Sequence, residues 1–162
     1  MLEPAACREA LASILSTEAS ALTELAGLLE REHGLLEAND VDSLERVMEE
    51  RQETVGRLLR AEDERRNLCR MHGREPDAAG SEQLMAWCDP SGTLRPQWAQ
   101  CASGAARCRE LNDRNGALVM ARMKRVETLL GVLTGKAQET PTYGPKGAYA
   151  APRAGRVLAT EA

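Results

Sequence analysis

In Leu111-Asn-Asp-Arg-Asn-Gly-Ala-Leu-Val-Met-Ala-Arg-Met-Lys-Arg-Val-Glu-Thr-Leu-Leu-Gly-Val-Leu133 the apolar residues recur at helical spacing. At about 100° per residue, Cys108, Leu111, Leu118, Val119, Val126, Leu129, Leu130 and Leu133 fall on one face. Asn115 and Arg122 project from the middle of that face, and Met120 and Met123 flank it. The pattern stops at Gly135, where Pro, Gly, Tyr and Ala take over. An amphipathic helix running into a loose basic tail suits the holding of another helix, and suits catalysis poorly.

Working outward, the composition agrees with a helical chain. Of 162 residues none is Phe, and only two are Trp and two Tyr, so few large aromatics exist to fill a thick core. Ala, Leu, Glu, Arg and Lys make up just over half of the chain, a share that with helical periodicity indicates long helices or a coiled coil. The net charge of −4 hides a gradient. Residues 1–73 carry sixteen acidic and nine basic side chains, net −7, whereas residues 74–162 carry nine and twelve, net +3. An acidic chain without a dense Arg/Lys stripe and interleaved aromatics is no nucleic-acid binder. The five cysteines, Cys7, Cys69, Cys88, Cys101 and Cys108, are odd in number, and no two form a C-x-x-C pair. They read as small reduced core residues in a reducing compartment. No charged leader followed by an apolar run opens the sequence, and no apolar run approaches the roughly 20 residues of a membrane span. A cytoplasmic protein without membrane insertion is expected.

Two more periodic runs precede the first. Pro4 suits a first helical turn, and Leu11, Ile14, Leu15, Leu22, Leu25, Ala26, Leu29 and Leu36 predict a helix over about 4–37, with Glu18 and His33 on its stripe. Asn39 or Asp40 breaks it and caps a second helix over about 41–72, whose face reads Leu44, Val47, Met48, Val55, Leu58, Leu59 and Cys69. So short a connection between long helices forces an antiparallel hairpin. Residues 73–93 are a crossover punctuated by Pro and Gly, with a short helix from Ser81, as cap, to Cys88. Thr93 and Pro96 open a third long helix over about 94–134, where Trp98, Cys101, Ala102 and Ala105 continue the face and small residues permit close approach. The expected architecture is therefore all-α: a helical domain over 1–134 and a flexible tail over 135–162, with Tyr143 and Tyr149 as isolated aromatics in the tail.

Catalytic and metal-binding constellations are lacking. Glu30-Arg31-Glu32-His33 contains Glu-x-x-His, half of the di-iron signature of helix bundles, without a second copy. Cys69 and His72 supply two potential ligands and no matching pair. No H-E-x-x-H, phosphate-binding glycine loop or G-x-S-x-G elbow occurs. Neither an enzyme nor a cofactor or metal site is expected.

The hairpin pattern, the Asn-x-x-Asn-Gly-x-Leu at Asn112, Asn115, Gly116 and Leu118, and the later Thr-Tyr-Gly-Pro-x-Gly at Thr142 resemble the FlgN-type flagellar export chaperones. In the hairpin the similarity rests on Glu18, Leu22, Leu25, Leu29, Glu32, Leu36, Leu44, Arg51, Leu58, Leu59 and Arg65. The resemblance implies a cytoplasmic chaperone of flagellar type III secretion. It would bind the C-terminal helical region of hook–filament junction proteins, keep them monomeric, and deliver them to the membrane export gate and its ATPase-associated components. On this reading Asn115, Val119, Arg122, Met123, Val126, Leu129, Leu130 and Leu133 receive the cargo, and Tyr143 docks on the gate. A homodimer is left open, as is a second class, a structural or regulatory coiled-coil adaptor unrelated to secretion. An adaptor should bury the third long helix in its own bundle or in a homodimer.

Overall fold

The computed structural model describes residues 1–135. Among these it holds four helices and no strand: α1 (Pro4–Ala38), α2 (Val41–Met71), α3 (Ala78–Cys88) and α4 (Arg95–Thr134). The chain divides into two compact units, Met1–Ala117 and a second beginning at Leu118. In the first unit, Pro4 starts α1, and Asn39 ends it in the left-handed conformation (φ 57°), returning its N–H to Leu35 and Leu36 carbonyls. Asp40 then caps α2, its Oδ1 accepting from Ser43 N–H at 3.2 Å. Cross-pairs run in opposite order along the two helices: Arg31 with Glu50 and Arg51 with Glu32 at 3.0 Å, Thr54 with Glu24 at 3.1 Å, Arg65 with Glu18 at 3.1 Å. The hairpin is antiparallel, as its two-residue connection demands.

The face that α2 buries overlaps the expected one in part: Val47 and Cys69 are buried, and Val55 and Leu58 are half-buried against the core. Val47, Thr54, Ala61 and Leu68, one residue in seven, form the seam with Cys69, while Met48 and Leu59 are exposed. Thr54 is tolerated there because its hydroxyl donates to the Glu50 carbonyl at 3.0 Å.

The crossover also differs in detail. Its helix is capped by Asp77, whose Oδ1 accepts from Gly80 N–H at 2.7 Å, and not by Ser81. Gly80 is required by space, since a Cβ there would lie 1.9 Å from the Glu75 carbonyl oxygen. Ser81 is fully buried and accepts a bond from Arg65 Nη1 at 2.7 Å. Thr93 stands just before α4, as expected, and its hydroxyl donates to buried Asp89 at 2.7 Å. Asp89 also accepts from Leu94 N–H at 2.8 Å and Ser91 Oγ at 3.0 Å. The bond from the Leu94 N–H, with those from the Thr93 and Ser91 hydroxyls, holds the Asp89 carboxyl below its usual range.

Arg65 ties the unit together. It bonds Glu18 of α1 and Ser81 of α3, and its guanidinium lies 5.4 Å from the Trp98 ring of α4. All five cysteines are free and buried. Burial pushes the Cys7 thiol up to about 12 and Cys101 up to about 11, and raises Cys88 and Cys108.

Candidate helix-docking face

Helix α4 meets α1 along a ladder of constant spacing. Cys101 Sγ donates to the Leu15 carbonyl at 3.4 Å, Cys108 Sγ to Leu22 at 3.3 Å, and Asn115 Nδ2 to Leu29 at 2.8 Å. Each pair is 86 residues apart, so the helices run parallel and stay in register over two heptads. Close approach makes these bonds feasible. Gly104 provides it, since a Cβ there would stand 3.2 Å from Leu22 Cβ. Ala102 and Ala105, expected to line this contact, are exposed instead. At the flank, Arg107 and Arg114 both reach Glu30 of α1 at 2.9 Å. The Arg114 bond, with the charge of Arg107 beside it, holds the Glu30 carboxyl below its usual range.

A buried polar node closes the ladder. Glu32 accepts from Arg51 Nη1 at 3.0 Å and from Asn115 Nδ2 at 2.8 Å. Asn115 Oδ1 lies 3.1 Å from His33 Nδ1, and Arg51 Nη2 donates to Asn112 at 2.9 Å. Three helices therefore share one satisfied network, which favours a single register. The two halves of the Glu-x-x-His sequence are both engaged here, Glu30 with arginines and His33 with Asn115 and Glu37. Among the described residues no cluster of three or more His, Cys, Asp or Glu could hold a metal.

The stripe that makes this ladder recurs later in the same helix. Eighteen residues make about five turns, so positions 18 apart share a face. The residues that α4 buries are Cys101, Cys108, Leu111 and Asn115. Their equivalents five turns on are Val119, Val126, Leu129 and Leu133, which are 39%, 54%, 56% and 81% exposed. Met123 and Leu130 are exposed on the same face, and Arg122 is half-buried. Seven of the eight residues assigned to cargo from the sequence thus lie on one stretch of α4. Asn115 stands apart, 4% exposed with its amide engaged at both ends. Tyr143 lies outside the described residues. Sequence reasoning missed Arg125, whose counterpart 18 residues earlier is Arg107; the repeat in α4 was the signal available.

Among the described residues the protein is all-helical, with an exposed amphipathic face on α4. Compared with known families, the chain matches the one described as FlgN protein over residues 2–151, nearly its whole length. It belongs to the FlgN family, and that membership points to a role as a flagellar export chaperone. No curated protein and no solved structure matches it. Among the described residues no helix is long and apolar enough to cross a membrane.

Proposed function

We propose that this chain is a cytoplasmic chaperone of flagellar type III export. It takes the C-terminal helical region of a hook–filament junction protein onto the exposed face of α4, keeps that subunit monomeric, and passes it to the export gate. The observation that carries this reading is the second, uncovered copy of a stripe which the same helix buries elsewhere. Val119, Arg122, Met123, Val126, Leu129, Leu130 and Leu133 receive the cargo helix, and Asn115 serves as the anchor that fixes α4. Burying a Val or Leu side chain contributes about 1.5–3 kcal/mol, so a handful offsets ordering costs and supports binding in the micromolar range. Residues 1–134 act as the helical domain, and the segment after them carries Tyr143 as a gate contact.

The test is the double variant Leu129→Asp, Leu133→Asp. It should lose junction-protein binding in a pull-down while circular dichroism and thermal melting stay at the parent values. Global unfolding of the variant would identify these residues as core and end the proposal. Tyr143→Ala should leave cargo affinity unchanged and impair motility; normal swimming with unaltered gate binding would remove Tyr143 from the scheme.

A further inference from the structure

The way α4 is already partnered specifies the chemistry of what its exposed face accepts. In the first unit the partner is α1, a helix parallel to α4 whose Leu15, Leu22 and Leu29 carbonyls accept the ladder bonds, whose Leu22 side chain packs at Gly104, and whose Glu30 is clasped at the flank by Arg107 and Arg114. The exposed stretch repeats the seam and one arginine of the flank. Val119, Val126 and Leu133 succeed Cys101, Cys108 and Asn115 on the seam, and Arg125 succeeds Arg107 on the flank, each 18 residues on. Two positions do not repeat: Arg114, the other half of the clasp, is succeeded by Val132, and Gly104, which leaves room for Leu22, is succeeded by Arg122, whose long side chain holds a facing helix further out.

We propose that the occupant of this face is an amphipathic helix that runs parallel to α4 and presents a carboxylate to Arg125. The inference rests on the function proposed above and adds the partner's charge pattern and direction. A second copy of the same face fits poorly. The flank positions of the exposed stretch, Arg125 and Val132, hold no acid, so a second copy would offer Arg125 no carboxylate. An exposed Arg–Glu pair adds little affinity, and its effect is on partner choice and direction.

The full-length chain is titrated with two fluorescent 21-residue helical peptides of leucine seam, alike except for a Glu or a Lys at the flank position. The Glu peptide should bind about fivefold tighter at low salt, with the preference shrinking as salt rises. Arg125→Glu should invert the preference. A nitroxide at the peptide N-terminus should broaden amide signals around Val119 and leave those around Leu133 sharp. Equal affinities, an unchanged preference in Arg125→Glu, or broadening around Leu133 instead would each overturn the proposal. So would a concentration-dependent dimer of the free chain that Leu129→Asp, Leu133→Asp abolishes. If both peptides bind alike and that double variant loses both, the charge and direction assignment fails while the docking face stands. If neither peptide nor junction protein binds, the docking face itself fails.

Discussion

Helix α4 uses one pattern in two ways. Its first half is built for a permanent neighbour: small seam residues, a glycine that makes room for Leu22, thiol and amide donors aimed at α1 carbonyls, and two arginines that hold a glutamate of α1. Its second half carries the same face in donor-free aliphatic side chains, Val119, Val126, Leu129 and Leu133, all exposed. Directional bonds to backbone fix register, whereas Val and Leu surfaces reward contact without specifying geometry closely. The difference separates a contact that defines the fold from one able to accept and release a partner.

The largest test pairs equivalent positions. Leu111→Ala should cost about 2–5 kcal/mol in denaturant melts, as buried leucines do, whereas Leu129→Ala, five turns on, should stay within about 0.5 kcal/mol of the parent. Equal losses at both would erase the distinction. Next, Asn115→Ala leaves Glu32 and the Leu29 carbonyl each short of a donor and should cost about 1–3 kcal/mol, while Leu133→Ala should leave stability unchanged. Smaller and opposite effects are expected at two helical glycines. Gly104→Ala should destabilise, because its Cβ would crowd Leu22. Gly116 has open space around it, so Gly116→Ala should stabilise by about 0.5–1 kcal/mol through helix propensity.

The gentlest probe is pH. Burial raises Cys101 from 9.0 to about 11, and raises Cys108, so the folded state keeps protons that unfolded thiols release. Stability from this source is full below pH 9 and falls as pH rises from 9 through 11. Urea midpoints at pH 8, 9.5 and 10.5 should decline in step, and a flat profile would mean the thiols are solvated. His72 acts in the opposite direction. Burial, with the N-terminal amine and Arg74 nearby, lowers its pKa from 6.5, so its contribution is present above pH 6.5 and is lost as pH falls below that value.

The sequence disclosed the long helices because Asn39-Asp40 and the Pro/Gly-rich crossover punctuate three strongly periodic runs. It did not disclose the α2 seam, because two of its four heptad positions hold Thr54 and Ala61, residues that become core only through what faces them. Asp77 was overlooked as a cap because Gly80, its bonding partner, reads as a helix breaker until the Glu75 carbonyl is seen to exclude a side chain. On the candidate face, the stripe was legible residue by residue. Its division into a buried and an exposed half was not, since that depends on α1, a partner 86 residues away. The Glu30 clasp was hidden for the same reason.

That constant separation also sets an order of events as the chain is made. Ion pairs within the hairpin join residues 19 to 47 apart, so α1 and α2 close on each other over short loops. The three bonds to α4 each span 86 residues and wait for the crossover and half of the last helix to emerge. Until Cys101, Cys108 and Asn115 in turn have left the ribosome, the edge of α1 at Leu15, Leu22 and Leu29 lacks the cover of α4. The nascent protein therefore passes through a stage in which it presents the same kind of apolar helix edge that its finished form leaves open on α4.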